Sequence, residues 1–235
     1  MDSTQLTPLD WDSEFFGYRV AKLEAKEPID FSSSFDPFFR LVYVFSQRPI
    51  NELESKLMDK KACFHMETIN VNKNIINQCL LIEPFDERNH SYNRLKNLTL
   101  ESGVFSRFFV DKNFANDEYS KLYTKWIENS VNKTSAIEVF VALEDNELLG
   151  FITLTKKTQD LADIGLLAVS PGARGRKVAS SLIEHVKDYA VNIGFRQMQV
   201  VTQLDNSPAV KLYESVGFEL KELTYIYHIW NYDTI

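Results

Sequence analysis

Two stretches of this sequence combine residue types that could do chemistry. In the first, Leu167, Ala168 and Val169 end an apolar run, Ser170 and Pro171 break it, and Arg174, Gly175, Arg176, Lys177, Val178 and Ala179 lead into a periodic apolar pattern. Successive backbone N–H groups at such a helix start form an anion site. Arg174, Arg176 and Lys177 add positive charge to it, and a pyrophosphate is the ligand it suits. In the second stretch, Asn206 and Tyr213 lie seven residues apart, two helical turns, and so share one face. Asn206 suits an N-cap and also carries an amide for a polar ligand. Tyr213 offers a phenol, which keeps its proton at neutral pH yet donates it to a developing anion. Read alone, each has a plainer role, Asn206 as a cap only and Tyr213 as a core aromatic.

Other ionisable residues are less committed. Period two puts Asp163 on the same strand face as Gly165, Leu167 and Val169, where it is either a base or a solvated carboxylate at a strand start. His185 falls in mid-helix and reads as a surface residue, and His228 on the last strand takes no role. Cys63 and Cys79 are isolated, with no CxxC pairing, which argues against a zinc site or a disulfide scaffold. They lie outside both stretches, so a cysteine nucleophile is not expected, and no metal is.

The elements that must position these residues follow from periodicity. Residues 18–25, 38–46 and 62–71 read as strands, and Ile50, Leu53, Leu57 and Met58 have helical spacing. This β-β-α-β unit, residues 1–78, holds no catalytic constellation. From residue 79 the order is strand (80–85), helices (92–101 and 116–131), strands (137–143, 148–155 and 162–169), helix, strand (197–202), helix (207–215), then one or two strands over 218–230. The helix after the basic loop has Val178, Leu182, Ile183, Val186, Ala190 and Ile193 on its core face, and Gly194 ends it. The fold class is α/β, with one domain over 1–78 and a second over 79–235.

The basic loop and the Asn206–Phe218 stretch resemble the two hallmarks of the GNAT superfamily of N-acetyltransferases. In the first, of pattern Q/R-x-x-G-x-G/A, Arg174 and Ala179 match the ends, and Lys177 stands where the family has glycine. A lysine there requires a helical φ and a side chain turned outward. In the second, N-x-x-A-x-x-x-Y-x-x-x-G-F, Asn206, Ala209, Tyr213, Gly217 and Phe218 all match. The resemblance implies a mixed, centrally splayed sheet flanked by helices, with acetyl-CoA as co-substrate. It implies cofactor contacts from Leu167, Ala168, Val169, Arg174, Gly175, Arg176, Lys177, Val178, Ala179 and Asn206. The N–H of Ala168 or Val169 polarises the thioester carbonyl, Tyr213 protonates the leaving thiolate, and Asp163 occupies a position where some members carry a base. Direct attack by the amine, without a covalent enzyme intermediate, is the mechanism implied.

Further stretches narrow this. The segments WDSEFFG (11–17), SRFF (106–109) and LYTKWIENSV (122–131), and IGLLAV before the basic loop, resemble bacterial TDP-amino-sugar N-acetyltransferases of the TDP-fucosamine type. That resemblance implies a partial GNAT-like α+β domain ahead of a complete one, and an acceptor that is the amine of a nucleotide-linked deoxysugar used in surface polysaccharide assembly. Arg107 and Phe108, in the connection 102–114 with Phe105, Phe109 and Lys112, are the candidate cation and aromatic slot for the nucleotide. The alternative is that these phenylalanines close the core beneath the loop. Two other functions stay open, a GNAT enzyme acting on a peptide or small amine, and a non-catalytic CoA-binding module.

Composition removes several classes. The 235 residues are 44% apolar and 25% charged, enough for one large or two small cores. A net charge of -7 gives no basic face for nucleic acid. No apolar run is long enough to span a membrane, and the acidic N-terminus is no signal peptide. A cytoplasmic protein with a small-molecule amine partner is expected, and a homodimer is left open.

Overall fold

The computed structural model describes residues 6–25, 36–68, 77 and 79–231. They fall into two compact units that do not follow chain order: Met1–Ala62, Gln203–Asp205 and Glu222–Ile235 form one, and Cys63–Thr202 with Asn206–Lys221 form the other. The chain's last strand therefore belongs with its beginning, across the linear division at residue 78.

In the first unit, β2 (Val20–Ala25) runs parallel to β3 (Leu41–Ser46), and β10 (Glu219–Trp230) pairs antiparallel with β3. Ala21, Leu23, Val42, Val44 and Tyr227 form its core. The short β1 (Thr7–Pro8) edges β2, and α1 (Asp10–Phe16) follows it. Nothing in the apolar pattern signals α1, because it buries no residue. The helix expected from Ile50 to Met58 is a 3₁₀ turn over Asn51–Lys56, after which Leu57 and Met58 open β4 (Leu57–Glu67). Four apolar residues met the helical spacing there, but Leu53 alone is buried in the turn. Residues 69–71, expected at the end of this strand, lie outside the described residues. The C-terminal segment 218–230 is one strand, not two.

The second unit carries the motifs. Its elements are β5 (Leu81–Pro84), α2 (Tyr92–Ser102), α3 (Arg107–Val110), α4 (Glu118–Val131), β6 (Glu138–Glu144), β7 (Glu147–Lys156), β8 (Leu161–Val169), α5 (Val178–Asn192), β9 (Gln197–Gln203) and α6 (Ser207–Ser215). The sheet order here is β4-β9-β8-β7-β6-β5. Strands β5 to β8 are antiparallel neighbours, and β8 then runs parallel to β9. On one face Leu95 and Leu98 of α2 and Ile127 of α4 pack on Val139, Val141, Phe151 and Ala168. The other face receives α5, whose His185 and Tyr189 stack edge-on against Phe140. His185 is thus half-buried rather than a surface residue, and burial pushes its imidazole below the ordinary range. Ile193, expected on the core face of α5, sits at its C-cap and is exposed.

Candidate active site

The two central strands part. Strand β8 pairs with β9 from Leu161–Gln197 to Ile164–Val200, and both then run on without a further rung between them. The backbone beyond Ile164 therefore faces a gap on its β9 side. A β-bulge fixes how it faces. Asp163 lies opposite Thr155 and Leu167 opposite Ile152, so Gly165 and Leu166 together oppose Thr153. The Leu166 N–H donates to Thr153 Oγ1 at 2.8 Å. A Cβ on Gly165 would stand 2.9 Å from that same oxygen, which is why a glycine holds the bulge.

The bulge decides which N–H groups enter the gap. Leu166 and Ser170 both donate toward β7, the second to the Leu149 carbonyl at 2.7 Å. Backbone groups alternate along a strand. Ala168 therefore also turns to β7, whereas Leu167 and Val169 present their backbone to the gap. Of the two residues expected to polarise a carbonyl, Val169 is the one whose N–H points there and Ala168 is not. Arg174 Nε reaches the Val169 carbonyl at 3.5 Å, which places that oxygen on the same side.

The bulge also inverts the side chains. Asp163 shares its face with Gly165, Leu166 and Ala168, the face packed by α2 and α4, and not with Leu167 and Val169 as simple alternation requires. Nor is Asp163 a solvated carboxylate. Gln199 Nε2 donates to its Oδ1 at 2.8 Å, and the Thr155 hydroxyl stands 3.4 Å from its Oδ2. Gln199 was not a sequence candidate. Its one signal is a polar residue in alternation between Met198 and Val200, both fully buried.

At the end of β8 the basic loop closes onto the strand. Gly150 on β7 makes this possible: a Cβ there would meet the Ala168 carbonyl oxygen at 2.8 Å and Val178 Cγ1 at 3.2 Å. Gly175 and Lys177 both hold left-handed backbone, φ 75° and 62°. Lys177 thus takes a left-handed backbone of the kind glycine favours, contrary to the helical φ expected, and its side chain is exposed. It acts as N-cap residue of α5, its carbonyl accepting from the Ser181 N–H. The N–H groups of Val178 and Ala179, in the first turn, have no acceptor within the helix and open at its mouth. Arg176 does not add a free cation there, because its guanidinium is paired with the Glu144 carboxylate, which raises its pKa further. Its carbonyl accepts from Asn77 Nδ2 at 3.0 Å, so Arg176 anchors the loop.

Tyr213 lies on α6 and is buried against Phe64 of β4 and Phe218, with ring centres 6.1 and 5.9 Å away. Burial pushes its phenol well above the ordinary tyrosine range, so the proton is held throughout neutral pH. Asn206 caps α6, its Oδ1 accepting from the Ala209 N–H at 3.4 Å, a long bond that leaves the amide largely uncommitted. The segment 102–114 is not a bare connection but contains α3. Phe108 points into the core against Phe114 and Trp126 and cannot stack on a ligand, whereas Phe105 and Phe109 are exposed. The Arg107 guanidinium lies 4.6 Å over the Phe108 ring. Among the described residues no group of three or more His, Cys, Asp or Glu side chains gathers as metal ligands, and no helix is long and apolar enough to cross a membrane.

Residues 102–218 match the model of the acetyltransferase (GNAT) family. Spore coat polysaccharide biosynthesis protein SpsD of Bacillus subtilis is 31% identical over 134 residues, 57% of this chain and 45% of that protein, so the chain spans less than half of that relative. The dTDP-fucosamine acetyltransferase of Escherichia coli is 22% identical over 229 residues, 94% of this chain and 96% of that protein. A tandem GNAT protein from the clavulanic acid biosynthesis pathway shares the fold, with a TM-score of 0.56 at 11% identity over 90% of this chain and 75% of that one.

Proposed function

We infer, from the premise that residues 102–218 make this chain a member of the GNAT acetyltransferase family, that it moves an acetyl group from acetyl-CoA to the amine of a nucleotide-linked amino sugar. The observation that carries this reading is the gap between β8 and β9, bordered by the Leu167 and Val169 N–H groups and ending at the open N-terminus of α5. An extended amide-bearing arm suits the gap and a pyrophosphate suits the helix mouth. Arg174 and Lys177 supply the charge at that mouth, and Gly175, Val178 and Ala179 supply backbone. Asn206 offers its amide to the same arm.

In this reading Asp163 takes the proton from the acceptor ammonium. The amine nitrogen attacks the thioester carbon while the Val169 N–H stabilises the oxyanion. The carbon–sulfur bond breaks, Tyr213 gives its proton to the departing thiolate, and the second proton, shed by the nitrogen as the amide forms, passes through solvent to restore the phenol. For the acceptor, support comes from the dTDP-fucosamine acetyltransferase, similar along almost its whole length, and from the polysaccharide role in the name of SpsD. Arg107 is the candidate clamp for the diphosphate, since a guanidinium binds it in bidentate fashion. Phe105 and Phe109 replace Phe108 as the exposed aromatics beside it. The division at residue 78, with a partial GNAT-like module before a complete one, belongs to the same proposal, as do a cytoplasmic location and a homodimer.

Free thiol followed in mixtures of the protein, acetyl-CoA and a panel of TDP-amino sugars tests the reading. Thiol release with one of these sugars, and none with peptides or polyamines, is the expected result. Release with a peptide N-terminus alone replaces the acceptor class. No release with any amine, together with a melting temperature raised by acetyl-CoA, makes the chain a binding module.

A further inference from the structure

Arg176 stands between two left-handed residues, Gly175 and Lys177, and is held from both ends. Its guanidinium pairs with the Glu144 carboxylate at the end of β6. Its carbonyl accepts from Asn77 Nδ2 at 3.0 Å. Asn77 is tied in turn to α5, because its own N–H donates to the Ser181 hydroxyl at 2.9 Å. By contrast, the hydrogen bonds inside the loop are long: Arg174 N–H to the Pro171 carbonyl and Arg176 N–H to the Ala173 carbonyl, 3.4 Å each. The β6–β7 hairpin is shaped for its contact with Arg176. Asp145 and Asn146, with φ of 50° and 65°, make the two-residue turn that sets Glu144 directly opposite Glu147. Two carboxylates so placed repel each other. A guanidinium against them relieves the repulsion, and Glu144 foremost, with Cys79 and Glu147 in smaller part, raises the Arg176 pKa. Alternation along β6 puts Glu144 on the face of Phe140, the face that α5 covers. An exposed ion pair contributes little to overall stability. Its effect here is local, on the backbone that leads into α5.

We propose that Glu144 is a positioning residue for acetyl-CoA: through Arg176 it fixes the 174–177 loop, so that the Val178 and Ala179 N–H groups are set for the pyrophosphate before it arrives. This rests on the reading of the α5 mouth as the pyrophosphate site. Two effects of Glu144 oppose each other. As a carboxylate beside an anion site, it repels the ligand and occupies a cation. As one end of a clamp, it orders the loop in advance, so that binding does not bear that entropy. Gly175 has no side chain to restrict its backbone, and Lys177 is strained in its own, so the loop depends on ties from outside it. Salt screens the repulsion, which acts across the loop, more than the clamp, which works through direct contact. The clamp therefore outweighs the repulsion. Arg176 fastens the loop, and Arg174 and Lys177 are the charges left to face the ligand.

The test is calorimetry of acetyl-CoA binding to the parent and to Glu144→Gln, which keeps the shape of the side chain and removes its charge. The Kd should rise roughly 3- to 10-fold, the equivalent of ordering one side chain on binding. The KM for acetyl-CoA should rise with it, and kcat at saturation should hold. Amide hydrogen exchange over 174–181 should quicken in the free protein while the melting temperature moves little. Exchanging the two charges, Glu144→Arg with Arg176→Glu, rebuilds the pair in reverse. It should bring the Kd back near the parent's from the weaker value of Arg176→Glu alone. A Kd for Glu144→Gln equal to or below the parent's overturns the proposal, because repulsion of the ligand is then all that the carboxylate did. A double variant that binds as poorly as Arg176→Glu alone overturns it too, since Arg176 is then a ligand for the pyrophosphate in its own right. If the folded parent binds no acetyl-CoA, the reading of the α5 mouth fails and the inference with it.

Discussion

Asp163 and Tyr213 stand on opposite faces of the same sheet. Asp163 bonds Gln199, Gln199 faces Cys63, and the next residue of β4, Phe64, turns the other way and packs against Tyr213. The gap between β8 and β9 opens beside Gln199. In the proposed reaction, with Asp163 as base and Tyr213 as acid, this arrangement suits an amine that arrives from one side and a thiolate that departs on the other.

Tyr213→Phe should lower turnover by roughly 10²–10⁴, the usual worth of a positioned proton transfer. Acetyl-CoA affinity should change little, because the ring still fills the space between Phe64 and Phe218. The raised phenol pKa gives a sign for pH dependence: the acid form persists above the ordinary tyrosine range, so Tyr213 should impose no fall in turnover up to about pH 10. A Phe variant as fast as the parent, with chemistry rate-limiting, makes Tyr213 a packing residue.

Gly175→Pro should abolish acetyl-CoA binding in a folded protein. Proline cannot take a φ of 75°, and it removes an N–H from the loop. Unchanged affinity by calorimetry would move the pyrophosphate elsewhere.

Lys177→Gly should raise stability by about 1 kcal/mol, the strain of a left-handed residue bearing a Cβ. The same change should weaken acetyl-CoA severalfold if the lysine charge reaches the ligand. A lower denaturation midpoint would mean that the lysine side chain holds the loop by contacts of its own.

Arg107→Ala should raise the acceptor KM and leave acetyl-CoA affinity alone. If Arg107 serves only to cover Phe108, the melting temperature falls and the acceptor KM stays where it was.

The second unit was largely legible because its signals are local. The 207–215 helix, the β6 to β9 strands and the basic loop each follow from periodicity or from a turn residue, and the motif positions could be read by spacing. What the sequence hid is local too, but has no pattern. Gly165 looks like any glycine in a strand, yet it and Leu166 form the bulge that turns Asp163 to the other face and Ala168 away from the gap. Lys177 adopts a glycine's backbone without being one. Arg176 reads as a free cation until Glu144, thirty-two residues away, is folded beside it. In the first unit, α1 has no trace in the sequence because a helix that buries nothing leaves no apolar period, and in 50–58 four apolar residues meet the helical spacing by coincidence.

The acetylated product decides whether a nucleotide-linked amino sugar is the acceptor. The protein, acetyl-CoA and TDP-4-amino-4,6-dideoxygalactose are incubated together, and the nucleotide sugar is weighed by mass spectrometry while kcat/KM is compared with that for a peptide and a polyamine. A sugar heavier by one acetyl group on nitrogen is expected, with kcat/KM higher than for the other amines and lost in Tyr213→Phe. An unmodified sugar, beside efficient acetylation of the peptide or polyamine, would contradict it.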